Sequence, residues 1–209
     1  MKRKKGGLLM KLSGKISLTF ATLVTVLGLG VTSAAAQTPV FVVTPETSTI
    51  KFSVKSSVTL EGIFDKWDAT LTFTSPDVST GVLDVKIQAA TVNTGSSFKD
   101  DKLKSKDFFD VKKDPLITFK STKIVQTAPN TFDVQGNFTI RGVTKPDTLV
   151  FTAEREGKAS GEIKGTMAFD RKDYGMDSNI PFIKIADRVE VTIALQVKRV
   201  SGPPVIFKQ

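Results

Sequence analysis

The sequence contains no histidine and no cysteine. Without histidine it lacks the commonest general base of secreted hydrolases and the commonest zinc or iron ligand. Without cysteine it has no thiol nucleophile, thiolate metal site, disulfide framework or lipid-modified cysteine anchor. A GxSxG elbow, an HExxH pair and a phosphate-cradling glycine loop are missing too. Two carboxylate pairs remain, Asp100 with Asp101 and Asp107 with Asp110. Glycoside hydrolysis needs such a pair at a defined separation across a cleft, and these sit in a lysine-rich run that reads as solvated charge. The expectation is a protein that is not an enzyme and has no metal or cofactor.

Acidic residues are absent from positions 1–36, which carry six of the 30 Lys and Arg residues. The basic start runs into the apolar stretch "ISLTFATLVTVLGLGV" (16–31) and then "TSAAAQ". A basic n-region, an apolar h-region and small residues at the cut describe a signal peptide, cleaved after Ala36. A transmembrane anchor is the rival reading, but the apolar run is short for a span of about 20 residues. Met10 opens a complete n-region of its own and is an alternative start. Removing 1–36 lowers the formal charge from +9 to +3, so the case for a nucleic-acid partner largely disappears. The expected location is periplasmic or secreted, with one domain over 37–209.

That domain has one Trp and one Tyr, and alternation dominates it. Val189, Val191, Ile193, Leu195 and Val197 alternate with polar or small residues. So do Phe132, Val134, Gly136, Phe138 and Ile140. Such period-two patterns are half-buried strands. Eight strands are expected, over 49–58, 62–74, 81–91, 115–125, 131–141, 147–154, 161–170 and 188–199. The short links "SPDVSTG", "TAPN", "GVTKPD" and "EGKASG" favour an antiparallel meander. One apolar face per strand and no long helix favour an all-β barrel or sandwich. The sequon at Asn137 falls inside a strand and is discounted.

Two stretches break the alternation. In 93–115, Ser96 or Ser97 could cap a short helix running to about Lys104. Phe108 and Phe109 then stand inside a run of Lys and Asp, and are expected to cover one end of a barrel. A satellite core under a loop is equally compatible. The other stretch, 171–187, is long for a hairpin link, and long ordered loops are often functional. The inside is built mainly of Phe, Val, Ile and Leu, which need no polar partner. An eight-stranded barrel either fills itself with side chains or holds one small ligand.

Six segments resemble, in order, the YceI-like family of bacterial periplasmic and secreted proteins: "TPETSTIKFSVK" (44–55), "GIFDKWDATLTF" (62–73), "DVKIQAATVNTG" (84–95), "DDKLKSKDFFDVKKDPLITFKSTKI" (100–124), "GNFTIRGVTKPDTL" (136–149) and "MAFDRKDYGM" (167–176). The resemblance covers about 41–199. It implies an extended eight-stranded antiparallel lipocalin-like barrel with one short helical excursion. It further implies a central tunnel that binds a polyisoprenoid, quinone or fatty-acid derivative for transport, storage or sequestration. Many relatives carry histidines near Thr47, Ser56 and Lys102; any metal or pH role they have elsewhere is absent here. The resemblance allows a homodimer and a transient membrane contact.

Combined with the alternation, it points to tunnel residues Phe52, Val54, Trp67, Leu71, Phe73, Val85 and Ile87 in the first strands. Phe119, Phe138, Ile140, Phe151, Met167, Phe169, Ile193 and Leu195 follow in the later ones. Phe108 and Phe109 act as cover. Arg171 and Tyr174, with Asp173 and Asn93, stand where a lipid head group would lie, loop bracing being the competing role for each. The alternative function is a secreted interaction module with a filled barrel. Chemistry on a lipid substrate is a third reading, which the absent motifs disfavour.

Overall fold

The computed structural model describes residues 37–57, 60–155, 159–178 and 184–208. The leader expected over 1–36, and its cleavage site, lie outside these residues. The strands are β1 (Val40–Val43), β2 (Thr49–Ser56), β3 (Leu60–Phe64), β4 (Trp67–Thr72), β5 (Val82–Gln88), β6 (Val92–Asn93), β7 (Leu116–Ala128), β8 (Thr131–Ile140), β9 (Val143–Arg155), β10 (Ser160–Asp170) and β11 (Ile185–Ser201). The single α-helix among the described residues, α1, spans Ser97–Lys104. Ser96 stands at its N-cap position without the expected side-chain cap bond.

All pairings between strands are antiparallel, and together they close an eight-stranded barrel. The eleven segments fill eight wall positions because three strands bend. The 17-residue β11 pairs with β1 along its C-terminal part and with β2 along its N-terminal part. Likewise β3 pairs with β2 while β4 pairs with β5, and β6 pairs with β3. β1 closes the ring through Val40 opposite Thr72. The expected strand over 62–74 is therefore broken at Asp65–Lys66. Thr91 fixes that bend: its carbonyl accepts from Asp65 N–H at 3.1 Å and its hydroxyl from Lys66 N–H at 3.0 Å.

Two further differences from the expected strands have local causes. β1 is a run of four apolar residues, so period two is invisible in it. All of "GVTKPD" after its glycine is strand rather than turn. The β8–β9 link is only Arg141–Gly142, at φ 51° and 72°, with Ile140 opposite Val143. This is the two-residue hairpin whose twist matches the strands, and arginine in the left-handed region hides it from sequence patterns.

The apolar phase of each strand faces inward. Ile50, Leu149, Leu195 and Val134 are among the most deeply buried side chains. Burial of that face at about 25 cal/mol per Å² is the main stabilising term in a domain without cross-links.

Candidate functional site

Inside the barrel three phenylalanine rings lie against glycines of the neighbouring strands. A Cβ on Gly62 would stand 2.5 Å from the Phe52 ring, and one on Gly136 2.7 Å from the Phe119 ring. A Cβ on Gly165 would overlap the Phe151 ring. Each glycine faces inward on the strand beside its phenylalanine. Glycine in a strand interior weakens the strand and marks a close approach; here the approach is by an aromatic ring. Rings laid on neighbouring strands leave open volume at both ends.

The larger cavity, about 160 Å³, lies at the β7–β8 hairpin end. Phe41, Phe73, Leu83, Phe132, Val134, Phe151, Ile163 and Leu195 line it, with Glu154, Ser160, Glu162 and Arg199 among the polar groups. The segment 202–208 covers it. Val205 is buried, the Phe207 ring meets Phe132 edge-on at 5.1 Å, and Ile206 N–H donates to the Pro76 carbonyl at 2.8 Å. Gln126 binds the backbone of Lys208 in both directions, at 2.7 and 2.8 Å.

The smaller cavity, about 70 Å³, lies at the opposite end. Both sequence excursions cover it. Phe108 and Phe109 are buried and line it, with the Phe109 ring 5.8 Å from Phe64. Lys102 sits 5.9 Å from the Phe108 ring centre and pairs with Asp107 at 2.6 Å, so the charged run is the outer surface of an apolar cover. Arg141, in the hairpin turn, donates to the Lys106 carbonyl at 2.9 Å and to that of Gly175. It therefore ties the two excursions together. Arg171 is only 4% exposed and braces the second excursion. It donates to the carbonyls of Met176, Ser178 (2.9 Å) and Ala186 (3.1 Å), and to Asp187 at 3.1 Å.

Beside this end the wall parts. β9 pairs with β10 only from Val150 to Arg155, leaving Val143–Leu149 without a β10 partner. Pro146 falls in that stretch, where no β10 carbonyl needs its N–H. Tyr174 fills the parting, with Phe138 and Phe169 edge-on at 5.6 and 5.3 Å. Burial, with Asp147 and Asp173 adding to it, pushes the Tyr174 hydroxyl up to about 12, so it stays neutral at working pH. Asp147 lies in the same stretch. Burial raises its carboxyl above the usual 3.8, against the lowering effect of a hydrogen bond from Thr148 N–H. A carboxyl raised on folding contributes stability below its unfolded value and loses it as pH rises through the folded value. Asp147→Asn should therefore melt higher than the parent at neutral pH, with the difference disappearing below pH 3.8. Thermal melts at the two pH values check this; a pH-independent difference would contradict it.

Leu71, Phe73, Phe151 and Leu195 line the first cavity. Phe52, Val54, Ile87, Phe108, Phe109, Phe138, Ile140, Phe169 and Arg171 line the second. Val85, Phe119, Met167 and Ile193 are buried and inward but line neither. Trp67 is half-buried at the bend, also outside both, and Tyr174 stands behind two lining rings. The expected head-group residues are engaged within the protein: Asp173 with Lys145 at 3.1 Å, and Asn93 with Asp65 at 3.3 Å and Gly95 N–H at 3.0 Å. Sequence reasoning missed Arg141 and the covering segment 202–208. That segment lies past the last alternating strand and has two prolines and no periodicity.

The chain is similar to the UPF0312 protein of Pseudomonas savastanoi pv. phaseolicola, 32% identical over 61% of this chain and 69% of that protein. The UPF0312 protein of Pseudomonas fluorescens is 35% identical over the same shares. Among solved structures, Burkholderia cenocepacia BcnA matches with a TM-score of 0.68 at 26% identity, over 74% of this chain and 99% of that one. A polyisoprenoid binding domain from Saccharophagus degradans matches at 0.60 and 14% identity, over 77% and 99%, a likeness of fold. The family model for the YceI-like domain matches residues 41–197, and the chain belongs to that family.

Proposed function

We propose that this protein binds a long-chain apolar lipid inside its barrel and carries, stores or sequesters it outside the cytoplasm. The ligand class is isoprenoid-type, quinone or fatty-acid derived. The observation that carries the reading is the pair of apolar cavities within a closed barrel. Interiors built for stability alone pack to crystal-like density with few voids larger than a water. Here Gly62 and Gly165 let the Phe52 and Phe151 rings lie over the neighbouring strands where they line the two cavities. The mechanism is passive: each methylene entering such a cavity contributes about 0.8 kcal/mol, reduced by the cost of immobilising the chain. The fold shared with the Saccharophagus degradans polyisoprenoid binding domain supports the same reading. Loading and unloading would take place in transient contact with a membrane, and a homodimer is compatible with it.

The filled-barrel reading has one observation in its favour, a packed layer midway along the lumen, but it does not account for the two cavities. Titration calorimetry with farnesol and with palmitate separates the readings. Saturable binding of about one ligand per protein with a negative heat-capacity change is expected, since that change marks apolar burial. No saturable binding of either would overturn the proposal.

A further inference from the structure

The two cavities share no lining residue. Between them lies a belt of buried side chains, one each from β5, β7, β9, β10 and β11: Val85, Phe119, Leu149, Met167 and Ile193. On β8 the same level is Gly136, against which the Phe119 ring lies. Along β10 the order runs Ile163 in the larger cavity, Met167 in the belt, Phe169 in the smaller one. Along β11 it runs Leu195, Ile193, Val191. The lumen is thus two chambers with a closed waist, where the family resemblance implies one tunnel.

From this geometry we infer that the waist is a chain-length ruler: the larger chamber takes an apolar tail of limited length, and Met167 sets the stop. The inference rests on the lipid-binding reading. The larger chamber runs along β11 from Leu195 to Arg199. Four steps of about 3.3 Å, shortened by a strand tilt of about 40°, give a depth of roughly 10 Å. An extended carbon chain advances about 1.25 Å per carbon, so roughly eight to ten carbons fit before the waist. Met167 is the member best able to change this limit. It is an unbranched thioether with three rotatable bonds and no polar anchor. Truncating it joins the chambers and roughly doubles the length available.

Titration calorimetry with saturated fatty acids from about eight to about twenty carbons tests the ruler. In the parent protein, affinity should rise roughly two- to fourfold per added methylene and level off near ten carbons. In Met167→Ala the rise should continue toward about twenty carbons. Ile193→Ala serves as a second opening of the waist, and thermal melts establish that each variant is folded. Affinity that keeps climbing past ten carbons in the parent overturns the ruler while leaving lipid binding intact. So does an unchanged limit in both folded variants. Failure of every chain length to bind overturns the lipid reading and the ruler with it.

Discussion

Arg171→Leu should lower stability by roughly 3–5 kcal/mol, the usual result of removing one member of a buried, hydrogen-bonded charge set. For a domain of this size that is a fall in Tm of roughly 10 °C or more. Leucine fills part of the space but leaves the carbonyls of Met176, Ser178 and Ala186 without their donor. Each unsatisfied buried acceptor costs about 1–3 kcal/mol unless water reaches it. Asp187 is the least affected partner. It is 39% exposed and keeps Lys172 at 2.8 Å, whose hydrogen bond is the main reason its carboxyl is held below 3.8. Arg171→Lys should recover only part of the loss, because an ammonium cannot reproduce a planar fork serving several acceptors. Denaturant titration of the three proteins decides it; a leucine variant within 1 kcal/mol of the parent would remove Arg171 from the account.

Gly165→Val should abolish lipid uptake while preserving the fold. Even a single added carbon at this position meets the Phe151 ring. The obstacle is the far part of a side chain rather than backbone, so the ring is expected to swing into the larger chamber that it lines. Overpacking of this kind costs about 1–3 kcal/mol, which a domain of ordinary stability survives. Binding should suffer more, because the valine and the displaced ring take the ligand's volume. A loss of at least roughly 100-fold corresponds to about 2.8 kcal/mol, the worth of three or four buried methylenes. Gly136→Ala is not an equivalent test, since its added carbon would stand 2.5 Å from the Lys120 carbonyl oxygen, which is backbone. Calorimetry beside a thermal melt checks the valine variant; a folded protein with undiminished affinity would contradict the ring-displacement argument.

Alternation made the barrel legible in the sequence. Val189 to Val197 and Phe132 to Ile140 each place one apolar face, and both strands stand where that pattern puts them. The phenylalanine pair at 108–109 stood out for a different reason, being too apolar for its charged surroundings, and both rings are buried; cover and satellite core were equally compatible with the sequence. The division of the lumen was not. Inward phase looks identical for Phe151, which flanks a cavity, and Phe119, which closes the waist. Both rings lie on a glycine one strand away, and what separates them is their level along the barrel, Phe151 beside the larger cavity and Phe119 between the two. Arg171 was legible as a residue of interest, but a charge in a loop pattern does not disclose that it is buried. Arg141 gave no signal, because its tethering role depends on a left-handed turn and on two excursions meeting at one end of the barrel.

The most direct measurement is native mass spectrometry of the protein purified from its own host, followed by solvent extraction and lipid analysis. The account predicts a one-to-one adduct whose extract contains an isoprenoid, a quinone or a fatty-acid derivative. Protein that carries no lipid, and takes up none from an added mixture of all three, would contradict it and leave the two chambers as packing defects of a filled barrel.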